Sequence, residues 1–240
     1  MAPPSFLRPL TRSRLSGEIE GILLEGIIGG KLRVGEKLPT ERELAADLDV
    51  NRSTVRAALG KLESLELVEI RHGDGVYVKD FRRSSNLELI LALTRMDEHQ
   101  RDSVISSLLR LRTIFGPDMA FLASQNRTDD HLRSLREVIR ESRLSVLEKD
   151  ILVHHVIALA STNVLYLLLL NFFNKFMFEY GYLYFEDPEN ARRSVLFHRE
   201  IYQALKGKNG RKARQIMEDV MKFSEDAVAG RLKKQDHAGR

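Results

Sequence analysis

Apolar positions between residues 12 and 29 recur at helical spacing: Leu15, Ile19, Ile22, Leu23 and Ile27 share one face of an amphipathic helix. The pattern stops at Gly29-Gly30, where a C-cap is expected. A turn-rich connection, KLRVGEKLP, follows. Thr40 with Glu43 three residues on reads as a capping box, each side chain satisfying a backbone N–H the other leaves free. It opens a second helix, TERELAADL. A tight turn at Asp49-Val50-Asn51 leads into a third helix, from about Arg52 to Leu65. LVEIR and VYVKD are short β-branched or aromatic runs separated by His72-Gly73-Asp74-Gly75, which predicts a hairpin. Helix, helix, turn, helix and hairpin is the order of a winged helix-turn-helix.

Residues 81–87 (FRRSSNL) are polar and read as a linker. From Leu87 to about Gly230 helical periods dominate and no convincing strand occurs, with breaks expected near Gly116-Pro117, Asn126–Asp130, Asp187-Pro188 and Lys206–Gly210. The expectation is a mainly α protein: a winged helix-turn-helix domain with a small hairpin wing over 1–80, a linker at 81–87, an all-helical effector-binding and dimerisation bundle over 88–230, and a charged, frayed tail over 231–240.

Composition narrows the function classes. The chain is 43% hydrophobic and 30% charged, enough for two real cores. It has no cysteine, which excludes disulfides, thiolate metal sites and cysteine nucleophiles, and fits a reducing cytoplasm. Asn163, Asn171, Asn174 and Lys175 interrupt the most apolar region, so no membrane span is expected. MAPPSFLRPLTRSR lacks the apolar stretch of a secretory signal. The net charge is +4, yet acids slightly outnumber bases over residues 1–80. Any nucleic-acid footprint must therefore come from a clustered face rather than bulk charge.

Asn51, Arg52, Ser53, Thr54 and Arg56 crowd the start of the third helix, the part of a helix-turn-helix that meets base edges in the major groove. An arginine can give two parallel donors to guanine, while hydroxyls and free N–H groups suit phosphate. Arg42, early on the preceding helix, is placed to position the backbone. The plain alternative is a capped, solvated helix start. Farther on, DILVHHVIALASTN puts Asp150 and His154 one helical turn apart on the same face of an apolar helix. That pair is open to three readings: the polar wall of a metal-free pocket, part of a metal site, or a satisfied pair in the core. The aromatics from Phe172 to Phe185 either wall an acyl channel or fill the core.

GEKLPTERELAADLDVNRSTVRAALGKLESLELVEIRHGDGVYV resembles the DNA-binding domain of GntR-family transcriptional regulators over most of residues 15–78. The resemblance implies operator contacts at Arg42, Asn51, Arg52, Ser53, Thr54 and Arg56, with His72 and Gly73 at a wing tip near the minor groove. Asp74 departs from a basic wing, since an acid there repels phosphate. Residues 85–228 resemble, more loosely, the helical effector domain of the FadR-like branch. That implies a homodimer bound to a palindromic double-stranded operator, with effector contacts at Arg112, Asp150, His154, Asn163, Tyr184 and His198. One subtype holds a divalent ion (Zn²⁺, Ni²⁺ or Mn²⁺) and a small carboxylate. Asp150, His154 and His198 match three of its ligands, and Val220 stands where the fourth imidazole belongs. The other subtype binds long-chain acyl-CoA in fatty acid metabolism, and the missing ligand favours it. A metal-assisted hydrolase using the same trio is a remote alternative that leaves the N-terminal half without a purpose.

Overall fold

The computed structural model describes residues 11–84, 86–96 and 98–238. The expectation for the first ten residues lies outside these, as does the end of the tail. The chain separates into two compact units, Met1–Arg101 and Asp102–Arg240.

In the first unit, α1 (Thr11–Ile28), α2 (Glu41–Asp47) and α3 (Arg52–Ser64) precede a two-stranded antiparallel sheet of β1 (Val68–Arg71) and β2 (Gly75–Val78). Val68 pairs with Val78 and Ile70 with Val76, so the valines at 68, 76 and 78 enter the core while Glu69 and Arg71 face out. Ile19, Leu23, Leu24 and Ile27 bury the expected face of α1 against Val55, Leu59 and Leu62. Leu15 and Ile22, expected on that face, are instead 40% and 57% exposed, and Leu24 takes a place on it. The Thr40–Glu43 capping box forms as the sequence predicts, with Thr40 N donating to Glu43 Oε2 at 2.8 Å and Glu43 N to Thr40 Oγ1 at 3.3 Å. The connection before it is more ordered than a turn. Val78 N donates to Glu36 O and Leu38 N to Val76 O, which lays residues 36–38 along β2 as an outer edge.

The segment expected as a linker is folded onto this unit where it is described. α4 (Phe81–Ser84) is held by Ser84 Oγ donating to Glu66 O, and Asn86 caps the next helix while its amide donates to Ser64 O. Leu89 and Ala92 of α5 (Leu87–Leu93) join the same core. The apolar side of α5, assigned by pattern to the helical bundle, is thus covered by the smaller unit.

The remaining elements are α6 (Glu98–Asn126), α7 (Asp129–Arg140), α8 (Val146–Ser161), α9 (Val164–Tyr180), α10 (Tyr182–Phe185), α11 (Pro188–Lys206) and α12 (Gly210–Ala238). Breaks fall at 126–129, before Pro188 and after Lys206, as expected. The break expected at Gly116-Pro117 does not occur, and α6 runs through both residues. Proline removes one backbone bond but does not forbid a helix whose sides are packed. Here Phe115, Met119 and Ala120 are buried, and a Cβ on Gly116 would collide with the end of Met221. The charged tail continues α12 in regular helix to Ala238 rather than fraying at 231. Among the described residues no helix is long and apolar enough to cross a membrane.

Candidate DNA-binding surface and effector site

Asn51 is the N-cap of α3, and one oxygen organises the whole first turn. Its Oδ1 accepts from Thr54 N at 2.9 Å, Thr54 Oγ1 at 2.9 Å and Ser53 Oγ at 2.5 Å. Thr54 is only 3% exposed and its hydroxyl is spent in the cap, so it shapes the helix start instead of facing outward as expected. Arg52, Ser53 and Arg56 are exposed along α3, and Arg42 is exposed on α2. Arg56 grips Glu41 through two bonds, Nε to Oε1 at 2.9 Å and Nη2 to Oε2 at 2.6 Å. Its guanidinium holds the Glu41 carboxyl below the usual carboxylate range. His72 and Gly73 sit at the hairpin tip, where Gly73 takes a φ of +77° that a side chain would resist.

Asp74 carries its own counter-charge, from a residue far away in the chain. Lys37 Nζ lies 2.9 Å from its Oδ1, and the Tyr77 hydroxyl donates to the carboxylate at 2.9–3.0 Å. Together Lys37 and Tyr77 hold the Asp74 carboxyl below its ordinary value. Lys37 and Tyr77 were missed because their approach depends on residues 36–38 adding to β2.

In the second unit a buried polar cluster forms where α6, α8 and α11 bring their side chains together. Asp150 is its centre. Ser194 Oγ donates to Asp150 Oδ1 at 2.5 Å, His198 Nε2 approaches the same oxygen at 3.1 Å, and His154 Nε2 stands 3.6 Å from Oδ2. Arg112 Nη2 lies 3.8 Å from Oδ2. Burial would push the Asp150 carboxyl up, but the His198 hydrogen bond and the Arg112 charge help to hold it well below the usual carboxylate range, so the group stays ionised at neutral pH. His154 is held neutral, with a pKa of about 3, by burial and by the Arg112 charge. Its ring stacks on Phe197 with centroids 5.2 Å apart. Ser194 was not expected, although its position one turn before His198 is the same i, i+4 spacing that singled out Asp150 and His154.

Three buried polar atoms of this cluster have no hydrogen-bond partner: Arg112 Nε, His154 Nδ1 and Tyr184 Oη. Their residues line one cavity with Met177, Phe185 and Met221. Leaving such an atom unsatisfied costs about 1–3 kcal/mol, so three around one cavity make it the candidate ligand site of this unit. The cavity has a volume of about 20 Å³, room for roughly one water in this state. Asn163 is elsewhere: it caps α9 by accepting from Leu165 N at 3.0 Å and does not line the cavity.

The sequence trio Asp150, His154 and His198 does come together around one carboxylate, although among the described residues no group of three His, Asp or Glu side chains stands out as a metal site. The buried Arg112 guanidinium already supplies positive charge beside Asp150, and Val220 presents hydrocarbon to the same cavity. Nor is the Ser194–His198–Asp150 group a nucleophilic triad. His198 Nε2 lies 3.3 Å from the Ser194 hydroxyl, but the same nitrogen also meets Asp150 Oδ1, whereas a triad needs serine and carboxylate on opposite nitrogens of the ring.

The chain matches the model of the gntR family of bacterial regulatory proteins over residues 15–78 and that of the FadR C-terminal domain over 79–234. A fatty acid metabolism regulator protein of Shewanella sp. strain MR-4 is 29% identical over 192 residues, covering 79% of this chain and 80% of that one. The transcriptional regulator LutR of Bacillus subtilis is 28% identical over 217 residues, covering 85% and 96%. The solved structure of Lar, which controls the agr system of Listeria monocytogenes, is 20% identical with a TM-score of 0.54 over 89% of this chain and 96% of that one, a likeness of fold alone. Two matched domains spanning nearly the whole chain, a winged helix-turn-helix and a helical unit, make it a DNA-binding transcriptional regulator of the GntR family, in its FadR-like branch.

Proposed function

We propose that this regulator binds operator DNA as a homodimer through Arg42, Arg52, Ser53, Arg56 and the wing tip at His72 and Gly73, and that a fatty acyl-CoA entering the Arg112 cavity changes its affinity for that DNA. The observation that carries the effector reading is the convergence of three unsatisfied buried polar atoms, Arg112 Nε, His154 Nδ1 and Tyr184 Oη, on one cavity. A guanidinium, a phenol and a neutral imidazole suit an oxyanion or carbonyl flanked by Met177, Phe185 and Met221. The acyl choice draws support from the relatives named as fatty acid metabolism regulators. With a cavity of about 20 Å³, an acyl chain enters only after the walls part, so ligand binding selects a more open state. The same small volume favours a second reading, in which a small organic carboxylate is the effector.

Duplexes selected by the purified protein from a random pool provide the probe. Long-chain acyl-CoA should shift the affinity for the selected duplex several-fold in the wild type and not in Arg112→Ala, whose DNA binding should persist without ligand. A shift caused only by short carboxylates supports the second reading, and no shift with either defeats the effector site. Mass measured in solution with and without duplex tests the dimer.

A further inference from the structure

The wing presents an acid to a polyanion, and the structure shows what that acid does in the free protein. Lys37 is not a stray surface lysine. Its residue bridges Tyr77 on the outer edge of the wing, and its ammonium lies 5.6 Å from the Tyr77 ring centroid. Its stem crosses Gly75 so closely that a Cβ there would stand 2.5 Å from Lys37 Cε. Only a glycine leaves that seat open. At the end of the seat the ammonium meets Asp74, whose carboxylate also takes the Tyr77 hydroxyl. The same ring also carries Arg71, its guanidinium 4.3 Å from the centroid and paired with Glu69 at 2.8 Å. Lys37, Arg56, Arg71 and His72 line one groove of about 630 Å³ between α3 and the wing. Lys37, Arg56 and Arg71 each hold a carboxylate of the same unit.

The cations of these pairs are 47%, 71% and 52% exposed at Lys37, Arg56 and Arg71, so each pair is weak and exchanges readily for another anion. DNA offers a dense row of phosphates, and each lysine or arginine that neutralises one releases counter-ions. We propose that Lys37 is a phosphate-contacting residue of the DNA-binding unit and that Asp74 competes with DNA for it, so that the wing-tip acid sets how strongly the protein holds duplex of any sequence. The proposal rests on the reading of the winged unit as the DNA-binding head. A phosphate that takes Lys37 must displace the carboxylate and then tolerate it nearby. That penalty falls on all sequences alike, because no base edge enters the exchange. Contacts from the start of α3 can repay it at the operator, whereas random duplex has nothing to repay it with. An acid at the tip therefore lowers binding to random DNA while leaving base reading to α3.

The test uses the full chain and a labelled random-sequence duplex, with affinity followed by fluorescence anisotropy across a salt series. Asp74→Asn should tighten binding several-fold and steepen the log–log salt dependence by about one unit, as expected for one additional phosphate contact. Lys37→Gln should weaken binding and flatten the dependence. In the Lys37→Gln background, most of the Asp74→Asn gain should vanish. Equal gains in both backgrounds would overturn the proposal, since the acid would then act by general repulsion. So would no gain at all. A wild type that fails to bind duplex sinks the DNA-binding reading itself, and that result is separate because the other two require a wild type that binds.

Discussion

The groove of the winged unit and the cavity of the helical unit both gather arginine, histidine and carboxylate, yet they use them in opposite ways. In the groove the pairs lie at the surface. Arg56 and Glu41 bond through two contacts, but the arginine side chain is 71% exposed. In the cavity, Arg112 and Asp150 are each only 9% exposed, and they stand 3.8 Å apart. Water screens the first set, so its partners can be traded for phosphate without disturbing the fold. The second set has no such screen, and every missing hydrogen bond there is a cost borne by the folded state. A surface built to exchange partners and a cavity built to wait for one should respond differently to the same mutation.

The largest contrast is between the two arginines. Arg112→Ala removes the cation beside a buried, ionised carboxylate and should destabilise the chain by about 3 kcal/mol, the usual result of breaking a buried pair. Ser194 and His198 still hold Asp150 Oδ1, which keeps the loss at the low end of that range. Arg112→Met combined with Asp150→Asn should recover most of it, because no charge is then left buried alone. Arg56→Ala should change stability by less than about 1 kcal/mol. It should nonetheless weaken duplex binding. Urea unfolding of the three variants checks the ordering, and equal losses for Arg112→Ala and Arg56→Ala would erase the distinction between the two sites.

The same contrast explains what could be read from the sequence. The winged unit was legible because its signals are local: a capping box at Thr40 and Glu43, an N-cap at Asn51, and a hairpin around Gly73, each settled within a few residues. Where it depended on distant strands, as in the meeting of Lys37 with Asp74, the sequence suggested only an unpaired acid. In the helical unit, the i, i+4 spacing of Asp150 and His154 correctly placed both on one buried face. It could not say whether a metal or an arginine would answer the carboxylate, because Arg112 arrives from another helix. Asn163 illustrates the reverse error. Asn163 was an effector contact by resemblance alone, and it proves to be the cap between α8 and α9. The Gly116-Pro117 pair looked like a break because local propensity was read without the packing of Phe115 and Met119 that carries α6 past it.

A smaller effect is expected at Asn51. Asn51→Ala removes the oxygen that gathers three hydrogens at the start of α3, and loss of an N-cap costs about 1 kcal/mol. The functional cost should exceed the structural one if Ser53 and the first turn make the proposed DNA contacts, since they lose the geometry for them. Thermal unfolding and duplex affinity measured on one preparation separate the two. Asn51→Asp, which keeps the cap oxygen, should restore stability but not affinity, because it adds negative charge at the phosphate-facing end.

The subtlest test lies in the cavity. Tyr184 Oη is buried, its proton is held more tightly than usual chiefly by desolvation, and it bonds to nothing. A hydroxyl that exists for the fold would cost stability when removed. A hydroxyl kept for a ligand should cost none, because the desolvation it suffers goes with it. Tyr184→Phe is therefore expected to leave the unliganded chain as stable as before, or more stable by up to about 1 kcal/mol. The ring keeps its edge contacts with Phe185 and Phe223, so packing is conserved. The effector should nevertheless bind more weakly, and its effect on duplex affinity should appear only at higher concentration. A destabilised Tyr184→Phe with unchanged effector response would make the phenol a structural group. The cavity would then be an ordinary packing defect, and the contrast with the groove would lose its functional meaning.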